Sequence, residues 1–133
     1  MTPSAIEKTK SAIFITFSGN CRQALKFYQT CFGGLLQLDF LEQALPGFKQ
    51  APLVSGHLKS ERVDIYGSDL VHDEGRKIGN YIAIYISCWS DEDRYTLIKK
   101  LEMGTTKRNR KPSTALRLVE ITDVFGVNWV LGV

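Results

Sequence analysis

The chain has few of the residues that build disulfide-rich, metal-binding or membrane-spanning proteins. Its 133 residues include three cysteines and two histidines, and no Cys-x-x-Cys pair is present. An odd number of scattered cysteines argues against a disulfide framework or a zinc ribbon. Apolar runs such as Ile82–Ile86 are much shorter than the roughly 20 residues that a membrane-spanning helix needs. We therefore expect no membrane association.

Strong charge of one sign is also missing, because the formal net charge is only +3. The basic excess is concentrated between Lys107 and Lys111, among Asn, Pro and Ser rather than aromatic residues. This pattern is typical of a solvated loop and not of a nucleic-acid interface. The opening residues Met1–Lys10 are polar and show no secretory signal, so we expect a cytoplasmic protein. The length fits a single domain, 1–133.

The first half of the chain predicts the order strand, helix, strand, strand, strand. Asn20 is a candidate N-cap for an amphipathic helix that ends at Gly33, where helices favour a left-handed residue. The apolar spacing of Ala24, Leu25 and Tyr28 supports this helix. The predicted strands of this half are Ser11–Phe17, Leu35–Glu42, Leu53–Lys59 and Arg62–Gly67, the last two forming a hairpin.

The second half repeats this order. Ser90 and Asp93 resemble a capping box, and a buried helical stripe of Leu97, Ile98 and Leu101 follows before Gly104 ends the helix. Predicted strands are Tyr81–Ser87, Ala115–Thr122 and Val127–Leu131, with a possible short edge strand in Thr105–Pro112. The chain is thus predicted to be α+β, with two β-α-β-β-β modules, approximately 11–67 and 80–133.

Two motifs resemble a known superfamily. They are Ala24-Leu25-Lys26-Phe27-Tyr28 with Phe32-Gly33-Gly34, and Thr122-Asp123-x-Phe125-Gly126-Val127-Asn128-Trp129. Together with the element order they resemble the vicinal-oxygen-chelate superfamily, which includes glyoxalase I, extradiol dioxygenases and bleomycin-resistance proteins. Gly56-His57-Leu58-Lys59 and Tyr66-Gly67-Ser68-Asp69 are similar to its PhnB-like, or demethylubiquinone methyltransferase-like, branch. The resemblance implies curved mixed sheets around a cavity, and a homodimer.

Metal-using members of this superfamily place His, Gln or Glu on the first and last strand of each half. Here the corresponding positions are Ile13, Ile65 and Val130, with Asp64 replacing Ile65 only if the register slips by one. The strand Tyr81–Ser87 offers no histidine or carboxylate. Apolar side chains cannot bind a divalent cation. We therefore expect neither a metal nor another cofactor.

A small-molecule site is expected in the cavity, with His57 as its orienting polar group. The candidate ligand-binding residues are His57, Tyr66, Phe17, Ile13, Ile15 and Val130. A hydrogen-bonded histidine at a sheet face or subunit contact is the alternative for His57, and a solvated loop is expected for His72. Trp89 is expected to pack against the protein, and Trp129 to lie in the core or the cavity wall.

Three functional classes remain open. The first is a protein that binds a small organic molecule without chemistry, as bleomycin-resistance proteins do. The second is a lyase, isomerase or dioxygenase with an atypical active site, and the third is a dimeric fold with a vestigial cavity. No Gly-rich strand-to-helix turn for a nucleotide-derived methyl donor is present, so methyl transfer is not expected. The sequence names no catalytic residue.

Overall fold

The computed structural model describes residues 11–40, 53–69, 79, 81–106 and 117–133. They belong to two compact units, Met1–Arg76 and Lys77–Val133, each with its own sheet. The first unit contains β1 (Ile13–Thr16), α1 (Cys21–Phe32), β2 (Leu35–Phe40), β3 (Leu53–Lys59) and β4 (Asp64–Ser68). The second contains β5 (Ile84–Ser87), α2 (Asp91–Leu101), β6 (Leu118–Thr122) and β7 (Asn128–Gly132).

The first sheet has the strand order β1-β4-β3-β2. β1 runs parallel to β4, and the pairs β3–β4 and β2–β3 are antiparallel. The hairpin turn between β3 and β4 is closed by Ser60, whose hydroxyl accepts hydrogen bonds from the backbone N–H groups of Arg62 and Val63. The predicted hairpin is thereby confirmed, with its second strand starting two residues later than expected.

One face of the first sheet is covered by α1, and we call it the helix face. A Cβ atom on Gly67 would lie 2.7 Å from the Cys21 sulfur of α1, so Gly67 faces the helix. Leu58 and Ile65, which are register partners, are fully buried. Since successive residues of a strand point to opposite faces, the neighbours of these residues lie on the other side, which we call the open face. The buried residues of α1 are Cys21, Ala24, Leu25, Tyr28 and Cys31.

The N-terminus of α1 is capped by a residue distant in sequence. Asn20 occupies the N-cap position, but its side chain makes no capping hydrogen bond. Instead, Oδ1 of Asp69 accepts hydrogen bonds from the backbone N–H groups of Gly19 (2.8 Å) and Cys21 (3.1 Å). The prediction that the Asn20 side chain caps the helix was therefore wrong, because β4 delivers a carboxylate to the same donors.

The C-terminus of α1 requires glycine. Gly33 and Gly34 both have positive φ, at 74° and 100°. A Cβ atom on Gly34 would also clash with the carbonyl oxygen of Lys59. The expected helix end at Gly33 is confirmed, and the second glycine allows β2 to begin directly beside the end of β3.

The second sheet has the order β5-β7-β6, with β5 parallel and β6 antiparallel to β7. Trp129 and Leu131 are fully buried, and their register partners Ile86, Ile121 and Val119 are buried with them. Val130 lies between the two buried residues of β7 and therefore points to the opposite face of this sheet. Trp129 is thus a core residue, one of the two expected alternatives.

Local sequence signals define α2. The Ser90 hydroxyl accepts a hydrogen bond from the backbone N–H of Asp93 at 3.0 Å, and the Asp93 carboxylate accepts one from the N–H of Trp89. Leu97, Ile98 and Leu101 are buried as expected. Arg94 is also fully buried and donates to the Arg117 carbonyl at 3.3 Å. Its spacing from Leu97 would have placed it on the same stripe, but its charge argued against burial.

The predicted α+β class is confirmed, because the described residues form two mixed sheets, of four and three strands, and two helices. Trp89 is 78% exposed, which contradicts its expected packing role. Thr105 and Thr106 are not in a strand. His72, the basic stretch 107–111 and the rest of the possible edge strand lie outside the described residues. No helix in the described part of the chain is both long and apolar enough to cross a membrane.

Candidate functional site

A row of four planar side-chain groups crosses the open face of the first sheet. The register aligns Phe14 with Tyr66, Tyr66 with His57, and His57 with Gln37, one residue from each strand. All four alternate with residues of the helix face, so they point to the open face. We call this set the cross-strand row. Its phenyl, phenol, imidazole and carboxamide groups combine apolar surface with hydrogen-bonding atoms.

The centre of the cross-strand row is a stacked pair. The rings of His57 and Tyr66 are parallel to within 4°, and their centroids are 4.0 Å apart. Both residues lie on antiparallel neighbouring strands as direct partners, the arrangement in which side chains are closest. The stack therefore fixes the orientation of both rings without help from a ligand.

Asp64 lies beside the stacked pair on the open face. Its Oδ1 atom is 3.8 Å from Nε2 of His57, beyond hydrogen-bonding distance but within the range of a charge interaction if the imidazole is protonated. Nε2 itself is buried and has no hydrogen-bond partner among the described residues. The His57 side chain is 21% exposed, so the accessible part of the ring lies on its other atoms.

Three of the predicted site residues lie on the helix face instead. Ile13 is the register partner of the buried Ile65, and Ile15 is the partner of Gly67. Phe17 is buried, and its ring lies 3.3 Å from the position of a Cβ on Gly67. The structure therefore separates these three from His57 and Tyr66. The cause is strand alternation, because the side chains of β1 that point to the open face are those of Phe14 and Thr16.

Val130, the remaining predicted site residue, belongs to the second unit. It is half-buried and aligns with Tyr85 on one side and Glu120 on the other. The Tyr85 ring covers Gly132 of the adjacent strand so closely that a Cβ there would clash with it. This second face thus mixes an aromatic, an aliphatic and an acidic side chain, without a histidine.

The positions of the first sheet that correspond to metal ligands in the superfamily are divided between its two faces. The apolar partners Ile13 and Ile65 are on the helix face, whereas Asp64 shares the open face with His57. Within the described ranges, no group of three or more His, Cys, Asp or Glu side chains could hold a metal ion. On the open face of the first sheet, the described histidine and carboxylate side chains are those of His57, Asp64 and Asp39, and they do not form such a group.

Cys21 is unsuited to nucleophilic chemistry. Its thiol is buried against Gly67 at the start of α1. Burial, and secondarily the negative charge of Asp69, raises the pKa of Cys21 to about 12. Since the thiolate is the reactive form, this cysteine stays protonated and inert near neutral pH. Cys31 and Cys88 are free and buried as well, in agreement with the sequence pattern that argued against a disulfide framework.

The second unit contains a groove of about 500 Å³ that the sequence did not indicate. It lies between the end of α2 and β6, and its polar lining includes Glu102, Glu120, Thr105 and Thr122. Asp123 at its base is already engaged, since it accepts hydrogen bonds from the N–H groups of Phe125 and Val127 and from the Trp129 indole. None of the described residues that line this groove has an imidazole or an aromatic ring.

Comparison with known proteins identifies the fold of this chain but does not identify its family. No protein-family model matches the chain, and no curated protein matches it. Solved structures do. Protein PA1353 from Pseudomonas aeruginosa is 22% identical, with a TM-score of 0.72, and the match covers 94% of this chain and 97% of that one.

Two further solved structures extend the comparison. A PhnB protein from Bacillus cereus, described as a putative 3-demethylubiquinone-9 3-methyltransferase, is 18% identical, with a TM-score of 0.67 and coverage of 93% and 98%. An Arabidopsis thaliana gene product is 15% identical, with a TM-score of 0.56 and coverage of 95% and 99%. At these identities the matches establish a shared fold alone. The chain therefore has the fold of PhnB-like proteins along nearly its whole length.

Proposed function

We propose that this protein is a PhnB-like member of the vicinal-oxygen-chelate superfamily, with the glyoxalase/bleomycin-resistance fold, and that it binds a small organic ligand at the cross-strand row. The observation that supports this most is the stacked pair of His57 and Tyr66 on the open face. The likeness of fold to PhnB-like proteins supports the superfamily but not the ligand.

The composition of the row is that of a small-molecule site. Ligand pockets combine mostly apolar and aromatic walls with a few polar groups that orient the ligand. Phe14 is 56% exposed and Tyr66 is 38% exposed, so these neighbouring residues of one sheet present aromatic surface together. His57 supplies a group that can donate or accept a hydrogen bond near neutral pH.

A fragment library screened by NMR tests this assignment. The chain has two histidines, so the imidazole signals of His57 are assigned by comparison with the variant His57→Gln. A ligand of the row should shift these signals and lose about 1–3 kcal/mol of binding free energy in His57→Phe. Tyr81→Leu, at an exposed position of the second unit, should leave the affinity unchanged. Binding that does not shift the His57 signals would place the site elsewhere.

We further propose that the site works without a divalent metal. The support is the residue set, because Phe14 and Tyr66 occupy open-face positions of β1 and β4, and the described residues contain no group of three or more His, Cys, Asp or Glu side chains that could hold a metal ion. Elemental analysis of protein purified without chelators should find less than about 0.1 equivalent of zinc, nickel, manganese or iron. About one equivalent, lost in His57→Ala, would refute this proposal.

A lyase or isomerase that uses acid–base chemistry is the second candidate. The position of Asp64 favours it, because a carboxylate 3.8 Å from Nε2 would attract the imidazolium that forms when the other ring nitrogen accepts a substrate proton. A ligand identified in the screen can be incubated with the protein in D₂O. Exchange of a ligand C–H proton by the wild type and not by His57→Gln supports catalysis, and its absence in the wild type supports binding alone.

A homodimer is proposed as well. Small domains with one open sheet face usually cover it by association, and in the second unit Tyr85 and Leu118 are exposed on such a face. Sedimentation equilibrium at micromolar concentration should give about twice the chain mass of 15.0 kDa. A monomer mass would exclude the dimer, and a dimer in which no ligand perturbs His57 would favour the third class, a dimeric fold with a vestigial cavity.

A further inference from the structure

The aromatic side chains of the cross-strand row have a defined order across the open face. The parallel rings of His57 and Tyr66 stand side by side on adjacent strands, and Phe14 is the next side chain along the row beyond Tyr66. The row therefore already contains a stack of two flat groups, with exposed aromatic surface at the Phe14 end.

Hydroxyl groups form a second row next to the aromatic side chains. Thr16 and Ser68 are register partners, and each lies two residues after a member of the cross-strand row on the same strand and the same face. Of these two residues, Ser68 is only 4% exposed, so the accessible hydroxyl beside the aromatic strip is that of Thr16. On the other side of the row, Asp64 is aligned with Lys59. A carboxylate and an ammonium group thus border the other side of the strip.

From this arrangement we infer that the ligand is a flat aromatic or conjugated ring compound that carries an oxygen substituent. The ring packs against Phe14 and Tyr66, and the oxygen is hydrogen-bonded by the Thr16 hydroxyl. This inference deepens the proposed function and rests on it. No covalent step is involved.

A flat aromatic ring should bind this row better than a saturated ring because of its charge distribution and its smaller thickness. Aromatic pairs prefer offset-stacked or edge-to-face contacts and gain energy beyond the area that they bury, which a saturated ring of equal carbon number does not. A saturated bicycle is also thicker and cannot lie as close to an aligned ring edge. The side chain of Thr16 adds a donor and acceptor at one border of the strip, so a ring oxygen has a defined place.

Two bicyclic alcohols of equal carbon number, 2-naphthol and trans-2-decalol, provide the test. Dissociation constants are measured by titration, following the His57 imidazole signals. We expect 2-naphthol to bind roughly three- to tenfold more tightly than trans-2-decalol. Phe14→Leu, which keeps an apolar side chain at an exposed position, should reduce this preference to less than about twofold. The matched control Tyr81→Leu, a tyrosine of the second unit that is 88% exposed and lies outside the sheet, should retain it.

Thr16→Val tests the place of the oxygen substituent, because valine keeps the shape of threonine without its hydroxyl. The affinity for 2-naphthol should fall about three- to tenfold, while the thermal unfolding midpoint confirms that the variant is folded. An unchanged affinity would overturn this part of the inference.

Outcomes that contradict the ligand class differ from those that contradict the proposed function. Equal affinity for the two alcohols at His57, or a preference that persists in Phe14→Leu, would overturn the class while leaving the site in place. If neither alcohol nor any library fragment shifts the His57 signals, both the class and the proposed function fail.

Discussion

Asp69 and Asp123 are two buried aspartates, one in each unit, that perform the same task over very different sequence distances. They are 7% and 4% exposed, and each accepts hydrogen bonds from backbone N–H groups. Asp69 binds donors 48 and 50 residues earlier in the chain, at the start of α1. Asp123 binds donors two to six residues later, within its own hairpin. A local carboxylate shapes a turn, whereas a distant one ties a helix to a strand.

The helices differ in the same way. α2 has its own N-cap residue, Ser90. The first turn of α2 also contains the acidic residues Asp91, Glu92 and Asp93, whose negative charges interact favourably with the helix dipole. α1 has no acidic residue in its first turn and takes its carboxylate from Asp69. The second helix is therefore defined by its own sequence, and the start of the first depends on correct pairing of β4 with β1.

The largest effect is expected for Asp123→Ala. This change removes the acceptor of two backbone N–H groups and of the buried Trp129 indole, so we expect a loss of about 3–4 kcal/mol in the free energy of unfolding. Urea denaturation measures it, and the indole N–H signal of Trp129 should shift in the NMR spectrum. A loss below about 1 kcal/mol would show that the carboxylate is not the organiser of this hairpin.

Asp69→Ala is expected to cost about 2–3 kcal/mol, because two donors at the start of α1 lose their acceptor. Asp69→Asn, which keeps an acceptor oxygen, should cost roughly half as much. Amide exchange at Gly19 and Cys21 should accelerate in the alanine variant. Unchanged exchange at these two amides would mean that another group caps the helix, and the comparison with Asp123 would no longer hold.

The thiol of Cys21 should make stability fall at alkaline pH. The folded protein keeps this proton up to about pH 12, whereas the unfolded thiol ionises near 9.0. Between these values the unfolded state binds fewer protons, so the free energy of unfolding falls as pH rises, by at most about 1.4 kcal/mol per pH unit. The contribution is complete below pH 9. Denaturation from pH 8 to 10 should show a shallower slope for Cys21→Ala than for the control Cys31→Ala, and equal slopes would contradict this origin.

The smallest effects distinguish the two N-cap positions. Ser90→Ala should lose about 1 kcal/mol, since its hydroxyl accepts the Asp93 N–H hydrogen bond. Asn20→Ala should change stability by less than about 0.5 kcal/mol, because its side chain makes no capping bond and its buried Oδ1 has no hydrogen-bond partner in the described part of the chain. Equal losses measured by urea denaturation would show that Asn20 contributes to the cap in solution.

Most of the fold could be predicted from the sequence, but only part of the candidate site could. Helix limits near Cys21–Phe32 and Asp91–Leu101 follow from spacing and glycine, and the pairing of His57 with Tyr66 follows from a short hairpin. Ile13 and Ile15, and not Phe14, were predicted to lie beside His57. A shift of one residue in the assignment of β1 moves every side chain of the strand to the opposite face. Strict alternation from Phe17, which is buried, would have placed Phe14 on the opposite face.

The sequence by itself determined the features that depend on neighbours within a few residues: the spans of both helices, the Ser90 cap and the Asp123 turn. Their hydrogen bonds close short loops, so local residue types are sufficient to specify them. Tertiary structure alone decided that Asp69 caps α1, that Arg94 is buried, and that Phe14 rather than Ile13 joins His57 and Tyr66. These features depend on which strands pair and in which register, and therefore on contacts between distant residues whose side-chain direction no single segment specifies.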